Sequence, residues 1–374
     1  MRILHVAHSY WPVIGGIENA IKAIAEEQAR LGHEVHVLTS YQGVKGRPKE
    51  EPLNGVYIHR IKALRLSYPD LTYPIEIPEH EIKKFDIIQV YSQNSLFSYV
   101  ITRTAKKLGK NVAFYFLGVD YLRNHYNPAI RLIGYRYETY ITRKIAGLVD
   151  RAFALNRCES ELLRDKYGIT AEVIPHGINE EFINAPTMSQ SFRNKYGIDG
   201  EIISYIGRLH PTKGVDMLIK AFSVIRKKYD VELVIAGNGS NNYINYLRSI
   251  AKRLGVDKNT YFIGYVSDTD KIGLIDASKS LVLPTRHAGE SYPLIINEAA
   301  ARDKPIIINK VGCAWSIGLE NIVVSEPNVE ALTKTITHVI NDDKLPSKLN
   351  GLRWRIPTWR QVSELLIKHY GRML

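Results

Sequence analysis

The chain predicts an α/β protein of two domains, each a parallel sheet wrapped by crossover helices. Three observations carry this. Short apolar runs alternate with helix-period patterns from end to end, as parallel strands joined by helices require. The series breaks around 178–200, in the mixed-polarity run APTMSQSFRNKYGIDG, and restarts at Ile202. The length, 374 residues, suits two domains better than one.

The elements follow in order. RILHVAH (2–8) reads as a strand, IENAIKAIAEEQARLGH (17–33) as a helix stopped by Gly32, and EVHVLTS (34–40) as the next strand. Residues 42–81 are polar and carry Pro48, Pro52, Pro69, Pro74 and Pro78, which predicts edge strands and loops. FDIIQVYS (85–92), NVAFYFLG (111–118), RAFALN (151–156) and AEVIPHG (171–177) are further strands. The second series opens with IISYIG at Ile202 and continues through LVIAGNGS (233–240), YFIGYVS (261–267) and SLVLP (280–284). WRIPTWRQVSELLIKHYGRML (354–374) predicts a last helix after Pro357. The domains are therefore expected at 1–180 and 195–356.

Composition narrows the class. Cys158 and Cys313 are the only cysteines, so there is no disulfide framework and no cysteine metal site; both read as small buried residues. No run of eighteen apolar residues exists, and MRILHVAHSYWP is too short and polar for a signal peptide. A cytosolic, reducing location is expected. The net charge is +12. Its cations are dispersed, with no helix-turn-helix, zinc-finger or RNA-binding aromatic motif, so nucleic acid is not the expected partner. Anionic sugar nucleotides and an anionic bilayer account for the charge as well.

Two segments carry chemistry. In RHAGESYPLIINEAAARD (286–303), Glu290 sits in a polar loop and Glu298 in an apolar-periodic helix. Ser291 is the expected N-cap, with Pro293 in the first turn. Glu298, on the second turn beside an apolar strand, suits recognition of a hydroxyl such as a ribose. The helix start offers N–H groups to a phosphate. The plain alternative is a loop acid and a solvated helix face. In IISYIGRLHPTKGVDMLIKAF (202–222), a strand ends in Gly207, Arg208 follows, and Lys213-Gly214 opens a helix. Two cations at a strand's carboxyl end, beside free N–H groups, suit a pyrophosphate. The alternative is two surface cations in a turn.

Together these segments resemble the retaining glycosyltransferases of family 4. Residues 286–303 look like the family's E-x7-E signature, and 207–214 its GR-x-x-x-x-KG element. PVIGGIE (12–18) is similar to P-x-x-GG-x-E, VIPHGINEEF (173–182) to VIPNGVD-x-x-F, and YFIGYVS to FLGFV. The resemblance spans most of the chain. It implies the GT-B fold: two Rossmann-like domains facing a cleft, with 357–374 crossing back to the first, where Trp354 and Trp359 are expected to anchor it. It implies sugar transfer from a nucleoside-diphosphate sugar, a UDP-sugar by default, to a hydroxyl of a glycan or lipid-linked acceptor. No further cofactor and no metal are implied. Arg208, Lys213, Glu290 and Asp120 would be catalytic. Gly15, Gly16, Gly207, Gly237, Ser291, Tyr292, Leu294 and Glu298 would hold the donor, the Gly15-Gly16 pair by a sharp turn and close backbone approach.

The chain departs from the family in places. Leu117-Gly118-Val119-Asp120 stands where many relatives have His-Gly-x-Asp, leaving Asp120 as the survivor, or as a loop acid. Gln89 and Tyr91 stand near a frequent His, and Pro293 replaces a frequent Gly. Residues 121–147 place Ile130, Ile133, Tyr137, Ile141 and Ile145 at helical spacing. Arg123, Arg131, Arg136, Arg143 and Lys144 face one acid, Glu138. This reads either as a core helix or as a membrane-surface helix, as in membrane-associated relatives. A sugar-nucleotide epimerase and a non-catalytic binding subunit are the competing functions; a dehydrogenase is disfavoured because 237–239 lacks the full glycine fingerprint.

Overall fold

A computed structural model of the chain describes residues 1–13, 15–44, 46–65, 71–125, 127–342 and 344–374. Ile14 and Pro69, used in the motif reading above, lie outside them. Contacts divide the chain into two compact units, Met1–Gly177 with Pro357–Leu374, and Ile178–Ile356.

The first unit runs β1 (Arg2–Val6), α1 (Gly16–Arg30), β2 (Glu34–Ser40), β3 (Glu50–Leu53), β4 (Val56–Ile61), β5 (Ala63–Arg65), β6 (Thr72–Pro74), α2 (Glu79–Ile82), β7 (Ile87–Tyr91), α3 (Leu96–Lys107), β8 (Asn111–Phe116), α4 (Pro128–Ala146), β9 (Arg151–Ala154), α5 (Arg157–Tyr167) and β10 (Ala171–Val173). Its sheet has the order β10-β9-β8-β7-β1-β2-β4-β3. Only the edge pair β3–β4 is antiparallel. Pro52 is tolerated there because an edge strand can spare an N–H. β7 is buried at every position, as a central parallel strand covered on both faces must be.

Two polar residues inside this core are satisfied by side chains. His5, fully buried, meets the Tyr91 hydroxyl at 2.9 Å and Gln28 Oε1 at 2.9 Å. Burial pushes its pKa down to about 4, so the ring is neutral at physiological pH. Gln89 accepts from the Tyr370 hydroxyl at 2.9 Å.

The second unit holds α6 (Glu180–Asn184), α7 (Ser189–Tyr196), β11 (Glu201–Ile206), α8 (Val215–Ile225), β12 (Val231–Ala236), α9 (Asn241–Arg253), β13 (Thr260–Gly264), α10 (Asp268–Ala277), β14 (Ser278–Leu283), α11 (Leu294–Ala301), β15 (Ile306–Asn309), β16 (Ile322–Ser325), α12 (Val329–Asn341) and α13 (Leu345–Leu349). Its six strands are all parallel, in the order β13-β12-β11-β14-β15-β16. The chain leaves β11 toward β12 and later returns to its other side as β14. Strand order therefore reverses between β11 and β14, where doubly wound sheets open a ligand crevice.

The sequence reading left 181–194 between its two domains. These residues belong to the second unit, as do 178–180. Phe182 and Ile183 are buried in its core. Arg302 holds the segment by donating to the Phe182 and Ala185 carbonyls at 3.1 and 2.7 Å, while also pairing with Asp276.

The last helix, α14 (Trp359–Gly371), belongs to the first unit and opens with a capping box at Thr358. It packs on α1, where Ser363 Oγ donates to the Ile24 carbonyl at 3.3 Å. Trp359 is buried against the His176 ring. Trp354 is 74% exposed, which corrects its expected anchoring role: it lies in a short turn before Pro357. Cys313 is buried and Cys158 half-buried, and neither is a free thiol. None of the described helices is long and apolar enough to cross a membrane.

The loop after β8 is held from beneath by side chains. Gln93 accepts from the Leu117 N–H at 2.9 Å, and Glu159 Oε1 accepts from the Gly118 and Val119 N–H groups at 2.8 and 3.2 Å. Glu138, on α4, accepts from the Leu122 N–H at 3.1 Å and from Asn94 at 3.3 Å. Burial lifts its pKa from 4.5 to about 7. Between those two values the folded chain keeps a proton the unfolded chain has lost. Stability therefore falls as pH rises across that window, by about 3 kcal/mol in all. The stability difference between wild type and Glu138→Gln, measured by denaturant unfolding, is expected to shift by that amount against the wild type between pH 4 and pH 8. A pH-independent difference would remove the assignment.

Candidate active site

The carboxyl ends of β12, β11 and β14 lie side by side in the second unit, and their loops interlock there. The β11 loop runs through a short turn, Pro211–Lys213, into α8. His210 caps that turn by accepting from the Thr212 N–H. Burial, with Arg208 and Lys213 nearby, lowers its pKa, so it adds no third cation at neutral pH. Gly214 has φ +70°, and a Cβ there would stand 2.0 Å from the Pro284 carbonyl oxygen. A Cβ on Gly237, at φ +139°, would stand 1.8 Å from the Gly207 carbonyl oxygen. Both loops thus depend on glycine to approach this closely. The Arg286 N–H closes the weave on the Thr212 carbonyl at 2.7 Å.

This weave brings together groups the sequence separates widely. The Lys213 ammonium pairs directly with Glu290 Oε2, across 77 positions. Thr285 Oγ1 donates to the same carboxylate oxygen at 3.3 Å. Both charged side chains are largely buried, 16% and 12% exposed. Arg208 is exposed, and among the described residues no carboxylate pairs with it. Arg286 makes a two-pronged contact with Asp216, at 2.6 and 3.1 Å, tying the Glu290 loop to the first turn of α8. Burial opposes the Asp216 charge, but Arg286 and Lys220 outweigh it and hold its pKa below the usual value. Thr285, Asp216 and Arg286 were missed from sequence. Only Asp216, an acid in the turn after Lys213-Gly214, left a local signal.

The helix carrying Glu298 differs from expectation at its start. α11 begins at Leu294 with Pro293 as N-cap and no side-chain cap. Ser291 lies two residues further out and is buried, which corrects its N-cap assignment. The extended Pro293 backbone decides this, its carbonyl taking the Ile296 N–H at 3.0 Å. The Tyr292 hydroxyl is 2.9 Å from Asn297 Oδ1, and burial raises its pKa. Glu298 stands on the second turn, largely buried, with Oε1 bonded to Lys271 at 2.8 Å.

In the first unit the groups are arranged differently. Asp120 is 3% exposed and turns toward α5, pairing with Lys166 and accepting from the Tyr167 hydroxyl at 3.1 Å. Leu117 lines a small recess with Ile17, Ala20, Tyr91, Tyr115 and His176. Gly15 is extended and sits at a bend in the chain, where a Cβ would stand 2.1 Å from Glu18 Oε2, and Gly16 begins α1 with open space around it.

The stretch 121–147 is not one helix. α4 starts at Pro128, capped by Asn127. Ile141 and Ile145 enter the core, as the core-helix reading requires. Ile133 and Leu132, in contrast, are 71% and 67% exposed. Tyr135, Arg136, Thr139, Tyr140, Arg143 and Lys144 line a groove on the outer side. Among the described residues, no group of three or more His, Cys, Asp and Glu side chains is placed to hold a metal ion.

Residues 14–182 match the family described as Glycosyltransferase Family 4, and residues 188–351 the family described as Glycosyl transferases group 1. An uncharacterized glycosyltransferase of Methanocaldococcus jannaschii is 27% identical over 351 residues, 88% of this chain and 84% of its own. A GDP-mannose-dependent alpha-mannosyltransferase of Mycolicibacterium smegmatis is 24% identical over 393 residues, 100% of this chain and 98% of its own. The solved structure of Anabaena HepE in complex with UDP covers 100% of both chains at a TM-score of 0.76 and 17% identity. That likeness and the two parallel-sheet units give the GT-B fold. With both halves matched in order, the chain belongs to the group 1 glycosyltransferases of family 4.

Proposed function

We propose that this protein is a retaining glycosyltransferase. It would move a sugar from a nucleoside-diphosphate sugar to a hydroxyl of a glycan or lipid-linked acceptor. The observation that carries this is the Lys213–Glu290 pair, with Arg208 exposed on the same β11 loop, at the switch point between β11 and β14. Arg208 and Lys213 take up charge on the departing diphosphate, helped by loop N–H groups. Glu290 accepts from donor-sugar hydroxyls and Glu298 from the ribose. Gly207, Gly237 and the backbone of Ser291, Tyr292 and Leu294 line the donor. The bond from the anomeric carbon to the phosphate oxygen breaks while the acceptor oxygen bonds to the same face. The leaving phosphate takes the acceptor proton, so no protein nucleophile and no metal are used. Asp120 is left out of this set. A cytoplasmic location is part of the proposal.

The named relatives leave two donors in view. The Anabaena protein binds UDP, and the mycobacterial one is GDP-mannose-dependent. A thermal-shift screen with UDP-, GDP- and ADP-sugars tests the proposal, because a bound donor raises the unfolding temperature by mass action. A shift with one nucleotide class, followed by transfer to a glycan or lipid-linked acceptor, supports it. Epimerised sugar nucleotide formed without acceptor would replace it with an epimerase.

The outer side of α4 supports a further part of this reading, contact with an anionic membrane surface. Exposed Leu132, Ile133 and Tyr140 stand among Arg131, Arg136, Arg143 and Lys144, while the sole acid, Glu138, is buried. Apolar groups can enter the interface as the cations reach lipid phosphates. Co-sedimentation with phosphatidylglycerol liposomes is expected, weakening with salt. Replacing Arg131, Arg136 and Arg143 by Gln should abolish it without changing nucleotide affinity. Equal sedimentation of both proteins would reject the membrane role.

A further inference from the structure

We infer that Lys271 is a positioning residue for donor binding, fixing the carboxylate of Glu298 so that one oxygen alone is presented to the nucleotide ribose. The inference rests on the donor-site reading above and adds a residue to it. Lys271 lies on the first turn of α10, and 27 positions separate it from Glu298.

Its surroundings leave the ammonium little freedom. The side chain is 19% exposed and passes over the Phe182 ring at 5.0 Å. The nitrogen stands 2.8 Å from Glu298 Oε1 and 3.1 Å from Asp268 Oδ1. Asp268 opens α10, whose N-cap, Ser267, accepts from the Asp270 N–H, so this anchor is itself on a capped helix. Burial works against the Lys271 charge, but Glu298 and Asp268 outweigh it and raise the pKa, so the bridge persists through neutral pH.

The consequence is geometric. A free glutamate on a helix surface samples several rotamers and offers either oxygen. Here Oε1 is taken, and among the described residues no group bonds Oε2. A carboxylate held this way needs no reordering when a hydroxyl arrives, so affinity is gained by preorganisation. Lys271 would not touch the donor. Its contribution should therefore appear in nucleotide affinity and ribose selectivity, with turnover at saturating donor nearly unchanged.

The test is calorimetry of wild type, Glu298→Ala, Lys271→Met and Lys271→Arg. The probes are UDP and GDP, and the 2′,3′-dideoxy form of whichever binds. Methionine keeps the apolar stem, and matched thermal midpoints check folding. Lys271→Met is expected to weaken the ribonucleotide about tenfold, the lower end of what supporting contacts contribute at other sites. It should also lose most of the preference for ribose over dideoxyribose, with Lys271→Arg restoring part of it. If Glu298→Ala loses that preference while Lys271→Met keeps it, the positioning role is overturned and the donor site stands. If neither nucleotide binds, or Glu298→Ala leaves the preference intact, the ribose assignment fails and this inference with it.

Discussion

Arg208→Ala and Lys213→Ala are each expected to lower kcat/KM by about 10²–10³-fold, the scale of one strong contact to charge that develops in the transition state. Both residues leave one strand end, beside the switch point of the second sheet. The two substitutions should differ in their side effects. Arg208 is exposed and has no described carboxylate partner, so its removal leaves nothing uncompensated. Lys213 is paired with Glu290 inside a half-closed weave, and its loss strands a largely buried carboxylate. Lys213→Ala and Glu290→Ala should therefore be strongly non-additive in a double-mutant cycle. Lys213→Arg should not fully restore activity, because a guanidinium fork cannot occupy the place of a compact ammonium. Activity should survive EDTA. Strict dependence on added Mg²⁺ or Mn²⁺, or near-normal turnover in both alanine variants, would overturn this assignment of the cations.

Glu298→Ala should weaken nucleotide binding by about 1.5–3 kcal/mol, the range for a hydrogen bond involving a charged group. Glu290→Ala is expected to act on turnover instead, since it would misplace the sugar more than the nucleotide. Steady-state kinetics with the identified donor separates the two: a raised donor KM for the first, a lowered kcat for the second. Unchanged nucleotide affinity in a folded Glu298→Ala protein would refute the ribose role. The loss in that variant includes stranding Lys271, so Lys271→Met alongside it shows how much belongs to the bridge.

The sequence also failed in instructive places. Trp354 and Trp359 flank the same proline, and composition treats them alike. One is buried against His176 and Gly177, the other points to solvent, because only Trp359 is on the helix that packs on α1. The stripe of α4 is apolar at regular spacing, yet its two halves part company. Ile141 and Ile145 find a core; Ile133 does not. A period shows that a helix has a face. It does not show how far along the helix that face is covered. Asp120 keeps the position of a family acid, and its partners, Lys166 and Tyr167 on α5, were not legible in the sequence.

What the amino-acid order determined by itself is what local physics can encode. Alternating apolar runs set parallel strands and crossover helices. Glycines at 207 and 214 marked a strand end and a helix start, and two cations after one strand, with two acids around one helix, marked the donor-site candidates. Those signals lie within a few residues of one another, so periodicity and turn chemistry expose them. Tertiary structure alone decided which charges meet. Lys213 and Glu290 are 77 positions apart, Asp216 and Arg286 are 70, and Lys271 and Glu298 are 27. Each pair forms because its loops or helices are set by strands ordered β13-β12-β11-β14 in one sheet, and strand order is a property of the whole packed unit.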